Sequence, residues 1–304
     1  MNSKQKKRKA KILLLCIALL ISITPYAQNS TIDSLRKILQ TRQNDTGKVN
    51  TLNAISSQFR YENTDTSLYF ANIALALAIK LSYKMGIADA KLRIARTCAD
   101  QGKYNEGVKI CDEALLLYKE LFQFATASNK ENILKQIGNT YNVTAHNRIS
   151  QGNYLEGLKN SFLALKVREK TGDKLGIANT ESNIGTIYAD QQNYAEALKH
   201  LYIALKLYNE LGNKANLSTA YSTIGQIFFR QANYTEALKN YLAGLKIAEA
   251  AGDKFNLAGI YINLASLNAL QGNYGKALEY DFSALAIFTE IKNTELVAYT
   301  YNDI

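Results

Sequence analysis

The sequence predicts an all-α fold built as a stack of antiparallel helix pairs. Three observations predict it. A tripeptide ending in Tyr recurs every 40 residues: Gly152-Asn153-Tyr154, Gln192-Asn193-Tyr194, Ala232-Asn233-Tyr234 and Gly272-Asn273-Tyr274. Between these anchors, apolar residues fall three and four apart, the spacing of one helix face. The 304 residues include a single proline, Pro25, so no later helix is interrupted by one. With 47% hydrophobic residues, the chain can also bury a large core.

The amino-terminal segment has its own pattern. Lys4, Lys6, Lys7, Arg8, Lys9 and Lys11 precede a largely apolar run over residues 12–23. That run is too short for a membrane helix, which needs about 20 residues. A basic stretch, a short apolar core and then Thr24-Pro25-Tyr26-Ala27-Gln28 form the pattern of a secretory signal peptide. Cleavage is expected after Ala27, with an uncleaved anchor as the alternative. Leu15 stands before Cys16 where a lipoprotein signal carries a small residue, which argues against lipidation. The expected organisation is a signal peptide over 1–27, a helical lead-in over 28–47 and a repeat array over 48–304. Such a product is exported to the periplasm or cell envelope.

Those six basic residues supply most of the net charge of +10. Without them, 30 of the 36 basic residues remain against 26 acidic ones. The remainder is evenly mixed, which speaks against a phosphate-binding surface and a nucleic-acid partner. Cys98 and Cys111 follow the expected signal peptide and are read as two buried thiols, not as a disulfide framework.

The frames follow in order. A weak first copy begins at Thr64. Gly102-Lys103-Tyr104 lies 50 residues before Tyr154, so ten residues are inserted, predicted between Phe122 and Ile133. Six frames result. In one of them Ala197, Leu201, Ala204, Leu205 and Tyr208 share a helix face, and Ile184, Ile187 and Tyr188 do so on the preceding segment. Thr171-Gly172-Asp173 and Ala251-Gly252-Asp253 read as a helix stop followed by a helix start: Gly takes the left-handed turn and Asp caps free N–H groups. Each frame is therefore two helices, A and B. Three places per frame hold small residues: Gly185, Ala197 and Ala204; Gly225, Ala237 and Gly244; Ala265, Ala277 and Ala284. Earlier frames have Ala95, Gly107 and Ala114, then Ala145, Gly157 and Ala164. The first has Ile55, Ser67 and Ala74 and fits worst. Small residues let the two helices approach where they cross.

This pattern resembles the tetratricopeptide repeat, W-x2-L-G-x2-Y with two later alanines, of about 34 residues. Ile184, Gly185, Tyr188, Ala197 and Ala204 carry the likeness; the Trp and the closing Pro are absent. The longer period is similar to the subtype of kinesin light chains and bacterial peptide-sensing regulators. The resemblance implies a right-handed superhelical solenoid of about six repeats plus a truncated seventh. In that frame the chain stops inside a helix A, leaving Val297, Tyr301 and Ile304 uncovered. The implied function is a protein- or peptide-binding scaffold in the bacterial cell envelope, part of a signalling system. The alternative is the sensor half of a membrane histidine kinase, nucleotide cyclase or transcription regulator, with a missing carboxyl-terminal region as its membrane link.

The resemblance also places helix A on an inner, concave wall that holds the partner segment. The implied wall residues are Asn139, Asn142 and His146; Asn179, Ser182, Asn183 and Thr186; Ser222, Gln226 and Arg230; and Asn263. Asn53, Asn183 and Asn263 recur in one register. A carboxamide donates and accepts, so such a ladder can pair with an extended peptide's backbone; the alternative is that these residues only meet water. Arg93 and Arg96, beside Asp89 and Asp100, read as a salt-bridged patch. The turn tyrosines read as structural. His146 and His200 lie in different frames without metal-ligand spacing, and no G-x-G-x-x-G, P-loop or G-x-S-x-G motif occurs. No enzymatic activity, cofactor or metal is expected.

Overall fold

The computed structural model describes Lys37, residues 43–60 and residues 63–304. The expected signal peptide lies outside the described residues, as does the lead-in apart from Lys37 and residues 43–47. The described residues form thirteen bounded helices and no strand. Helices A are α1 (Thr46–Phe59), α3 (Lys84–Asp100), α5 (Ala127–Ser150), α7 (Lys174–Asp190), α9 (Lys214–Arg230), α11 (Lys254–Leu270) and α13 (Thr294–Asp303). Helices B are α2 (Thr64–Lys80), α4 (Tyr104–Phe124), α6 (Tyr154–Thr171), α8 (Tyr194–Glu210), α10 (Tyr234–Ala251) and α12 (Tyr274–Glu290). The fold is an all-α solenoid of helix pairs, as the periodicity predicts. Two compact units divide between Arg93 and Ile94, inside α3.

In the first unit, Asp45 starts α1 by accepting from the Lys48 N–H (2.8 Å), and Asn63 starts α2 by accepting from the Thr66 N–H (2.8 Å). Val49, Leu52, Ala74, Ala78 and Ala90 form its core. Where α1 meets α2, the buried Ser67 hydroxyl donates to the Ser56 carbonyl (2.8 Å). This polar contact marks the frame that fits the small-residue rule worst. Arg93 donates to the Ser57 hydroxyl (3.1 Å).

In the second unit, each helix packs on its sequence neighbours, and α9 also touches α7 and α11. The predicted small residues face one another at the crossings. A Cβ on Gly185 would lie 2.7 Å from Leu201 and 3.0 Å from the Ala197 carbonyl oxygen. One on Gly225 would lie 2.6 Å from the Tyr241 ring and 3.3 Å from the Ala237 carbonyl. One on Gly107 would lie 3.2 Å from the Ala95 carbonyl. Gly244, the third small residue of its frame, would meet the Ser218 carbonyl at 3.1 Å and Ile260 at 3.2 Å. It therefore sits between two successive helices A.

The turns explain why the tripeptide recurs. Its first residue has positive φ throughout: Gly102, Gly152 and Gly272 at 74° to 77°, but also Gln192 at 61° and Ala232 at 58°. A side chain in that region costs about 1–2 kcal/mol. The Asn that follows caps helix B in the three middle copies, where Asn153 and Asn233 each accept from an N–H three residues on, at 3.3 Å; Lys103 and Asn273 make no such side-chain bond. Glu156, Glu196 and Glu236 then stand in the first turn, favourably placed toward the helix dipole. At the other end of helix B, Gly172 and Gly252 both have φ 65°, and Asp173 and Asp253 accept from Gly176 and Asn256 N–H groups, as predicted.

The ten-residue insertion makes no loop. Helix α4 has 21 residues and α5 has 24, against 17 each for α8 and α9, with only residues 125 and 126 between them. The extra chain lengthens both arms of one hairpin, which keeps its backbone groups hydrogen-bonded. Cys98 and Cys111 are free and buried, as expected. Burial pushes the Cys111 thiol up to about 12, which keeps it from acting as a thiolate.

Gly185→Leu should lower stability by about 1–3 kcal/mol or more, because the overfilled crossing must open. Ala232→Gly should raise it by about 1 kcal/mol by relieving the left-handed turn. Urea unfolding of both variants against the parent checks each sign.

Candidate binding face

The implied wall residues lie on α5, α7, α9 and α11, all in the second unit. Their surroundings differ from helix to helix, and the difference comes from below.

Beneath α5 lies Arg168, from α6, only 5% exposed. Its Nη1 donates to the Gly176 carbonyl (2.6 Å) and to the Thr180 hydroxyl on α7. Its Nη2 donates to the Asn139 side-chain oxygen (3.1 Å). The Asn142 side-chain amide also lies against the guanidinium, 2.9 Å from Nη1 and 3.1 Å from Nη2; because a guanidinium only donates, the atom that meets it is assigned as the oxygen. Gly138 lies beside the arginine stem, where a Cβ would sit in ordinary contact at 3.4 Å. Every one of these acceptors is neutral. Burial pushes the Arg168 pKa down, and nearby Asp173 opposes this; the guanidinium stays charged. His146, one turn further along α5, is exposed.

Beneath α7 the same place is taken by Tyr208, from α8. Its hydroxyl donates to the Asn179 oxygen (2.8 Å), which also accepts from the Asn216 amide (3.1 Å). Burial pushes the Tyr208 pKa up to about 12, so it stays a donor. Ser182 is half-buried, whereas Asn183 and Thr186 are exposed.

On α9 and α11 the implied residues meet. Asn263 donates to the Ser222 hydroxyl (3.1 Å) and accepts from Gln226 (3.3 Å). These three rim a cleft of about 290 Å³ between α9, α11 and α13. Its apolar lining is Phe255, Ile260, Ile262, Phe288, Leu296 and Tyr299. Gly259 also lines it, and a Cβ there would meet nothing within 4 Å. Arg230 reaches Asp190 at 3.8 Å, an exposed pair that contributes at most about 1 kcal/mol.

Two expectations need correction. Asn53 is buried, its amide atoms paired with nothing in the structure, so it cannot meet a partner as part of a ladder. Asn263 does not face solvent freely as Asn183 does; it ties α11 to α9. The turn tyrosines Tyr194 and Tyr234 pack on buried clusters, but Tyr274 is 68% exposed.

Sequence reasoning missed the residues beneath the face. They stand fourteen residues after each turn tyrosine: Tyr118, Arg168, Tyr208, Ala248 and Phe288, all buried. One register holding a cation, phenols, a methyl and a phenyl ring was a visible signal of changing function along the array.

His200 lies elsewhere. It is buried, with Nδ1 2.5 Å from Glu181, stacked on Tyr188 at 5.6 Å. It joins α7 to α8. Among the described residues, no group of three or more His, Cys, Asp or Glu side chains is placed to hold a metal, and no helix is long and apolar enough to cross a membrane.

A family model described as Tetratricopeptide repeat matches residues 176–250, and one described as SusR N-terminal TPR domain matches residues 26–115. No curated protein matches. Among solved structures, BtubC (BKLC) from P. vanneervenii is similar at 17% identity and TM-score 0.62, covering 76% of this chain and 92% of that one. Apo RapI is similar at 19% identity and TM-score 0.57, covering 78% and 96%. A Rap protein complexed with Competence and Sporulation Factor is similar at 14% identity and TM-score 0.60, covering 98% and 91%. At these identities the likeness is one of fold.

Asn263→Ala should cost about 1 kcal/mol, since it removes two side-chain hydrogen bonds. Asn183→Ala should stay within about 0.5 kcal/mol of the parent. Chemical denaturation of the two variants separates the bonded carboxamide from the free-standing one.

Proposed function

Because the chain is a tetratricopeptide-repeat protein, we propose that its face of α5, α7, α9, α11 and α13 holds a peptide or protein segment without catalysing a reaction on it. The cleft between α9, α11 and α13 carries this reading. Its apolar lining suits one aliphatic or aromatic side chain, and its rim of Ser222, Gln226 and Asn263 offers donors and acceptors to the backbone beside that side chain. Such a small apolar site with a few placed polar groups is the usual make-up of a binding pocket. A Rap protein of the same fold was solved with Competence and Sporulation Factor bound, which supports a ligand-holding role.

The basic and apolar pattern over residues 1–27 supports export to the bacterial cell envelope, where the array acts as the sensing or interaction part of a signalling system. Two histidines set in different repeats, and the internal use of His200, support a role without catalysis, cofactor or metal.

Gly259→Phe tests the cleft. The new ring enters open space, and replacing a helical Gly by Phe raises helix propensity by about 0.3–0.5 kcal/mol. Peptides selected by the parent from a random display library should lose affinity for this variant at least tenfold, while its melting temperature holds or rises. Undiminished affinity would remove the cleft from the binding face.

A further inference from the structure

We propose that Arg168 is a positioning residue that polarises the α5–α7 part of this face, so that it receives a carboxylate of the bound segment. This rests on the reading of the face as a peptide site and names the chemistry of the peptide.

An asparagine side chain can present either its oxygen or its amide nitrogen, and nothing in its shape decides which. Arg168 decides it here. A guanidinium has donors only, so the oxygens of Asn139 and Asn142 turn inward to meet it. Their Nδ2 groups are left on the side away from the cation; that of Asn139 spends one N–H on the Gln136 side-chain oxygen (3.3 Å) and keeps the other, and both asparagines are half-exposed. On α7, Tyr208 and Asn216 engage the Asn179 oxygen in the same sense. Three neighbouring carboxamides are thereby oriented from beneath, with donors as what remains to offer.

Charge points the same way. Arg168 has no carboxylate within ion-pair distance among the described residues, and its Nε has no hydrogen-bond acceptor. A buried charge whose direct hydrogen bonds all go to neutral oxygens is costly, and nearby Asp173 offsets it only from beyond ion-pair distance. It lies one side chain below the donors it orients. An anion on those donors would gain both their hydrogen bonds and the field of the cation.

The contrast along the array sets the direction of the partner. Where α5 and α7 have Arg168 and Tyr208 beneath them, the later helices have Ala248 and Phe288, and Phe288 lines the apolar cleft. The segment that fits is acidic at one end and apolar at the other. The acid is an Asp or Glu side chain or a terminal carboxylate.

The test uses the full chain and a randomised peptide array with three arms. One arm has a fixed Asp and an amidated end; one has no acidic residue and a free carboxylate; one has neither. The parent should bind one of the first two arms about tenfold or more tightly than the third. Which arm wins names the source of the carboxylate. In Asn142→Asp the inner oxygen is kept for Arg168, but the outer amide becomes an oxygen. This variant should stay folded, with an unchanged or higher melting temperature, and lose the acid preference. Arg168→Lys keeps the charge but not the planar fork that orients two amides, and it too should lose the preference. Equal binding of all three arms, lost on Gly259→Phe, would overturn the role of Arg168 and leave the peptide site standing. No binding of any arm would overturn both. A preference that survives in Asn142→Asp or in Arg168→Lys would also overturn it, since orientation would then not be its cause.

Discussion

Backbone-to-backbone approach at the helix crossings is the constraint on which the structure depends. Where Gly185 passes the Ala197 carbonyl, and Gly225 passes that of Ala237, there is no room for a larger side chain. Two helices this close bury most of their shared face with few large residues, and the alanines in the core show this: Ala178, Ala197, Ala204 and Ala220 are all essentially without exposure. Dense contact replaces bulk. The crossing also sets the rotation of each helix, and so which residues look outward.

The turns serve that crossing. A positive-φ residue, an Asn cap and a Glu in the first turn end one helix and begin the next within three residues. Such a turn is short enough to hold the pair in register. Gln192 and Ala232 adopt the same backbone as the glycines at equivalent places, so the packing of the pair overrides the local preference of the residue. The lengthened hairpin of α4 and α5 obeys the same economy. Its ten extra residues become helix on both arms.

Polar residues beneath the face do a different job from the apolar ones around them. Arg168 and Tyr208 engage carboxamides that would otherwise be free to rotate, whereas Ala248 and Phe288 leave the later helices with an apolar lining. Asn263, bridging Ser222 and Gln226, fixes the distance between α9 and α11. The face is thus a graded surface whose chemistry changes from one repeat to the next while the backbone beneath stays the same.

Much of this was legible in the sequence because it is local or periodic. The helix pairs, their turns, the caps at Asp173 and Asp253, the small residues at the crossings and the buried state of Cys98 and Cys111 all follow from spacing and residue type. Local chemistry dictates them, whatever lies across the fold. The face was only half legible. The resemblance to a known repeat named Asn139, Asn142, Asn179 and Asn263 as wall residues, yet an asparagine's partners lie on other helices. Only tertiary packing decided that Arg168 would orient the first two, that Tyr208 would engage the third, that Asn263 would be tied to α9 and that Asn53 would be buried. Those contacts join residues about 30 to 40 positions apart, and such pairings are set by how helices stack, which no single stretch of chain specifies.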